Sequence, residues 1–138
     1  MSGLLVLALT AASLAAPRAA TVELNAWRAA VKSGDAARIA HLLPEGATLT
    51  VRVRMSPTPA PDRTLSRDSL EAALKVSGGP NELGLSAQLM LPTAAELRRA
   101  EGGRYAAQNA KCPEVRWIFA PVGKRFVLVE IVRTLLDC

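Results

Sequence analysis

The stretch from Cys112 to Cys138 constrains this chain more than any other. Two apolar segments, Val115–Val122 and Arg125–Leu136, flank a Pro121-Val122-Gly123-Lys124 turn, and the only two cysteines stand outside them. Apolar runs of this length joined by a glycine-containing turn predict a β-hairpin. Alternation then assigns its faces: Trp117, Phe119, Phe126, Leu128, Glu130 and Val132 on one side, and Ile118, Val127, Val129, Ile131 and Leu135 on the other. The second side is rimmed by Arg116, Arg125 and Arg133 but has no polar stripe. A one-sided sheet needs a polar face. That side is therefore covered either by helices of the same chain or by a second copy, in a homodimer through Val127, Val129 and Ile131.

A second constraint comes from the first sixteen residues, MSGLLVLALTAASLAA, an apolar run followed by Pro17-Arg18. This is the pattern of a secretory signal peptide. The run is too short for a stable membrane anchor, which needs about twenty residues. Cleavage near Ala15 or Ala20 divides the chain into a leader, residues 1–20, and one domain, residues 21–138. Export into an oxidising compartment gives the cysteines a role as a Cys112–Cys138 disulfide. Closing a loop of that length adds roughly 3 to 4 kcal/mol in the chain-entropy account. Abundant Ala, Arg, Gly and Pro suggest a GC-rich bacterial genome, and with export a periplasmic or secreted location.

Upstream of the hairpin the periodicity alternates between helix and strand. Leu24, Trp27 and Val31 form a helical stripe over Thr21–Lys32, which Ser33-Gly34 ends; Asp35 then caps a short helix carrying Ile39, Leu42 and Leu43. Ala47–Met55 alternates as a half-buried strand, and the prolines of Ser56–Arg63 read as a loop. A third helix starts near Ser66 or Asp68, with Asp68 and Glu71 at capping-box spacing, and carries Leu70, Ala73 and Leu74. Leu83–Leu91 alternates as a strand. Thr93 and Glu96 predict the cap of a fourth helix, broken at Gly102-Gly103 and resuming over Arg104–Lys111. The fold class is α+β: a curved antiparallel sheet packed on N-terminal helices.

The opening AWRAAVKSGDAARIAHLL and the later LSRDSLEAAL resemble the NTF2-like superfamily. Trp27 and Val31 precede Gly34-Asp35, and Ile39 with Leu42-Leu43 follow, as in that family's two-helix opening. The resemblance implies a sheet curled round a long N-terminal helix into a cone with an apolar pocket. Pocket walls would then fall to Trp27, Trp117, Phe119, Phe126 and Leu128, with Glu130 among them. The segment Pro92–Lys111 departs from the family, placing a helix where sheet is usual.

A formal net charge of +5, carried by scattered arginines with only 4% aromatic residues, gives neither a phosphate track nor stacking platforms, so nucleic acid is not an expected partner. His41 is the only histidine and has no cysteine or carboxylate at ligand spacing, so no metal site is expected. Motifs of serine hydrolases, zinc proteases and phosphate-binding loops are missing, and no cofactor is indicated. Glu130 has two readings. On an aromatic wall it would be a general base of the kind the resemblance implies for isomerases and dehydratases, with Tyr105 or His41 as hydrogen-bond partner. Otherwise it is a structural ion pair with an arginine such as Arg52 or Arg54. The leading functional expectation is a non-catalytic domain that binds an apolar small ligand or a protein partner.

Overall fold

A computed structural model of the chain describes residues 2–54, 61–85, 97–108 and 115–134, with side chains from residue 16 onward except at position 81. Helix α1 spans Ser2–Ser33 with Pro17 inside it, and α2 spans Ala36–Ala40. Strands β1, Leu49–Arg54, and β2, Arg63–Leu65, are followed by helices α3, Arg67–Lys75, and α4, Gly79–Glu82. Then come β3, Leu97–Arg99, a 3-10 turn at Glu101–Gly103, β4, Tyr105–Gln108, β5, Val115–Val122, and β6, Arg125–Thr134. The strands form one six-stranded sheet in the order β2-β1-β6-β5-β4-β3. Among the described residues no helix is long and apolar enough to cross a membrane.

The helical stripe forms as its spacing predicts. Ala20, Leu24, Trp27 and Val31 are buried along one side of α1 and enter a core shared with Leu49, Val51, Leu128 and Ile131. Gly34, at φ +71°, ends α1, and the Asp35 carboxylate accepts from the amides of Ala37 and Arg38 to start α2. Ser66 rather than Asp68 caps α3, in a reciprocal box with Ser69. Across the core, the Arg125 guanidinium reaches Glu23 of α1 at 2.9 Å, fixing the hairpin tip to the helix.

Four elements differ from their sequence pattern. The sheet is mixed rather than antiparallel, because β1 pairs with β6 in parallel while every other neighbouring pair is antiparallel. Arg63–Leu65, expected to finish a loop, turns back as β2 against Leu49–Val51. Leu83–Leu85, expected to open a strand, forms the turn after α4; Gly84, at φ +77°, presents its carbonyl to Trp117 Nε1 at 3.0 Å. The expected fourth helix is instead β3, the 3-10 turn and β4. Leu, Glu, Arg and Ala are good helix formers, but propensity is worth only about a few tenths of a kcal/mol per residue, and pairing with a neighbouring strand overrides it. Gly102 and Gly103 both take positive φ, making a hairpin corner of what reads as a helix break. Residues 55–60, 86–96, 109–114 and 135–138 lie outside the described residues, and with them Met55, most of the predicted strand to Leu91, the Thr93/Glu96 cap, Leu135 and both cysteines.

The hairpin carries a further correction. Its register shifts between Ile118 and Phe119: Ile118 is opposite Glu130, whereas Phe119 is opposite Leu128, so Val129 is an extra residue on β6. A bulge of this kind reverses the alternation beyond it. Trp117 and Phe119 therefore share the inner face with Leu128 and Ile131, while Glu130 and Val132 turn to the outer face with Ile118 and Arg116. The aliphatic stripe is broken by the same shift. Val127 and Ile131 are fully buried in a single copy and Val129 is half-buried, so the chain's own packing covers the residues that a homodimer was expected to use.

Candidate functional site

The residues expected to wall an apolar pocket are the interior itself. Trp27, Trp117, Phe119 and Leu128 have 0% exposure and Phe126 has 6%, and all belong to one packed cluster. Tyr105 lies edge-on to Phe126, with ring centroids 5.5 Å apart. With Tyr105 buried as well, both tryptophans, both phenylalanines and the only tyrosine of the chain face inward. His41 is exposed at the C-terminal cap of α2, where its amide bonds the Ala37 carbonyl.

Glu130 sits on the opposite side of the sheet from those rings. Parallel pairing puts Thr50 of β1 beside it, and two residues on, Arg52 Nε donates to Glu130 Oε1 at 2.5 Å. The same guanidinium bonds Asp62, which also takes a contact from Arg54 Nη1 at 3.3 Å. From the other direction Arg104 Nη1 stands 3.6 Å from Glu130 Oε2. The Glu130 side chain is 15% exposed, and its two oxygens face two different arginines. The ion-pair reading of Glu130 is thus the observed arrangement. Tyr105 belongs to the inner face through its pairing with Phe119, so it and Glu130 lie on opposite sides of the sheet.

Beside Arg104 the outer face opens into a cleft of about 380 Å3. Arg98, Arg99, Arg104, Glu101, Gln108 and Arg116 line it, together with Ala100 and Ala106. Register explains the gathering: Arg98 pairs with Ala106, Ala106 with Ile118, and Gln108 with Arg116, so neighbouring strands place these residues on one face. Arg116 is half-buried there, and its Nε is shielded from solvent without a hydrogen-bond partner. Arg98 and Arg116 form no salt bridge among the described residues. A second cleft of about 260 Å3 adjoins the first, lined by Ala16 of α1 with Arg99, Gly103, Arg104 and Tyr105.

Arginines at 98, 99 and 104 are scattered in the sequence and converge only when Gly102-Gly103 folds β3 back on β4. An alternating Leu97/Arg98 and Tyr105/Ala106 pattern about two glycines was the available signal, and helix propensity obscured it. Among the described residues no three of His, Cys, Asp or Glu approach closely enough to hold a metal ion. The arrangement suits capture of anionic groups: fixed guanidinium forks, one of them unsatisfied, on a wall of strands.

No protein-family model matches the sequence, and no curated protein matches it either. Among solved structures the chain is similar to an NTF2-like protein with a cystatin-like fold from Novosphingobium aromaticivorans. The TM-score is 0.50 at 15% identity, over 95% of this chain and 88% of that one. A likeness at that identity concerns the fold alone. The α+β architecture read from the sequence is accordingly an NTF2-like fold whose sheet does not close.

Proposed function

On this NTF2-like scaffold we propose an exported, non-catalytic binding domain whose partner is a protein, held on the outer face of the sheet. The observation that carries the reading is the filled interior: Trp27, Trp117, Phe119 and Leu128 occupy with 0% exposure the space an apolar ligand would need. Ligand pockets in general are concave and leave room of some 300 Å3 or more. The described cleft of that size lies instead among the arginines.

The enzyme alternative required Glu130 to face the aromatic wall. Its carboxylate is instead turned outward against Arg52 and Arg104, away from Tyr105. Export and the Cys112–Cys138 disulfide remain part of the proposal on the grounds of the leader and of cysteine chemistry in oxidising compartments.

A photo-crosslinking side chain at Gln108, on the outer face, compared with one at the exposed Val76 beyond α3, tests this reading in the cells that make the protein. We expect an adduct of one discrete mass from position 108 and none from position 76. Failure of position 108 to form an adduct would overturn the outer-face reading.

A further inference from the structure

We infer that the cleft among Arg98, Arg104 and Arg116 is a carboxylate receptor, and that its occupant is an acidic segment of the partner, a run of Asp or Glu side chains. This rests on the protein-partner reading and names the chemistry that partner must present.

Three observations converge. First, the charge is placed by the sheet rather than by flexible loops: Arg116 sits on β5, Arg98 on β3, and Arg104, its side chain 37% exposed, precedes β4 and lines the same cleft. Side chains on paired strands lose less freedom on binding than side chains on loops, so their contacts are retained more fully as affinity. Second, Arg116 Nε is shielded from water and unpaired. With Nε closed off, the half-buried Arg116 presents the rest of its guanidinium to the cleft it lines, where a carboxylate can accept a charge-assisted hydrogen bond. Third, the fold itself satisfies the neighbouring guanidinium on this face with carboxylates, where Arg52 binds Glu130 and Asp62. In the cleft Arg104 is likewise held, by Glu130 and by the Glu101 carbonyl, whereas Arg98 and Arg116 form no salt bridge among the described residues.

Nucleic acid is a poorer occupant. Every aromatic ring of the chain is buried, so no base has a surface to stack on, and the cleft is a pocket rather than a track along a backbone. The overall charge of +5 favours an acidic partner over a basic one and speeds its approach at low salt.

The test uses the full chain and a capped tetraglutamate peptide as probe, followed by calorimetry and by amide resonances at about 0.1 M salt. We expect saturable binding of tetraglutamate and none of tetraglutamine, with the largest shifts at Arg98, Ala106 and Gln108. R116Q should weaken binding by about tenfold, R116K by less, because lysine keeps the charge but loses the planar fork. R98Q, on an exposed strand position, gives the same direction of change without touching a half-buried residue. K124Q, which removes the same charge at the hairpin tip, should leave affinity within about twofold, since screening limits reach to about 10 Å. Equal losses from R116Q and K124Q, or no saturable binding at all, overturn the receptor. Citrate or inorganic phosphate binding the cleft as tightly as the peptide overturns the acidic-segment occupant. Peptide binding in the cleft with no crosslink at position 108 supports the receptor and removes the partner reading alone.

Discussion

Arg52 Nε donates to Glu130 Oε1 at 2.5 Å across two strands that run in parallel, and Thr50, not Arg52, is the residue paired with Glu130 in the ladder. The guanidinium therefore leans back along β1 to reach a carboxylate that the Val129 bulge has turned outward. Three consequences combine in that contact: the bulge sets the face, the parallel pairing sets the distance, and Asp62 beyond β1 holds the other edge of the same arginine.

A double-mutant cycle of Arg52→Gln and Glu130→Gln measures the pair. Arg52 is 36% exposed, so solvent screens it, and we expect a coupling of about 0.5 to 1 kcal/mol in urea unfolding. Glu130→Gln alone should destabilise by about 1 kcal/mol, because Arg104 loses its acid as well. Additive single substitutions would show that the contact is not formed in solution.

The two buried tryptophans should respond differently to loss of the indole nitrogen. Trp117 Nε1 donates to the Gly84 carbonyl, whereas Trp27 Nε1 is buried without a partner. Replacing either by phenylalanine removes volume, but only Trp117→Phe also breaks a buried hydrogen bond and strands a carbonyl. We expect it to cost about 1 kcal/mol more than Trp27→Phe in thermal or urea unfolding. Equal costs would remove the Gly84 bond as a contributor.

Gly84 has a constraint of its own. At φ +77° an alanine is strained, and its Cβ would meet Ile131 Cγ2 at 3.0 Å beneath the turn. Gly84→Ala should destabilise by roughly 1 to 3 kcal/mol. Gly34→Ala, also at positive φ but with open space around it, should cost less. A Gly84 variant as stable as the Gly34 one would mean that the turn shifts without loss.

The Asp35 cap, the inward stripe of α1, the first strand and the existence of the hairpin were legible because each depends on residues adjacent in sequence: Leu24, Trp27 and Val31 repeat at helical spacing, and Asp35 stands where a cap must. What escaped was set by distant pairing. The bulge at Val129 leaves no mark in a strand where Val127, Val129 and Ile131 are all apolar, so alternation carried Glu130 to the wrong face. β3 and β4 were hidden because residues of good helix propensity surround Gly102-Gly103, and only pairing with Ile118 and Trp117 makes Ala106 and Ala107 strand residues. The arginine cleft escaped with them, since its members meet only once that hairpin has formed.

For the leader proposed above, the packing of α1 favours one cleavage position over the other. Ala20 has 0% exposure and Ala16 and Ala19 pack against the core, while Thr21 Oγ1 donates to the Pro17 carbonyl at 2.8 Å. A cut after Ala20 removes all four contributions, which we expect to lower stability by about 1 to 2 kcal/mol. Pro17 points the same way. Inside a continuous helix proline costs about 3 kcal/mol, but in the first turn its missing N–H is not needed. A mature chain beginning at Ala16 puts Pro17 in that first turn, and Ser13-Leu14-Ala15 before it has the small-x-small form that signal processing uses. Intact-mass measurement of the exported protein without reductant should give a chain starting at Ala16 and two hydrogens lighter than its reduced form. A chain starting at Thr21 would show that these contacts are dispensable, and an unchanged mass on reduction would show that Cys112 and Cys138 are not joined.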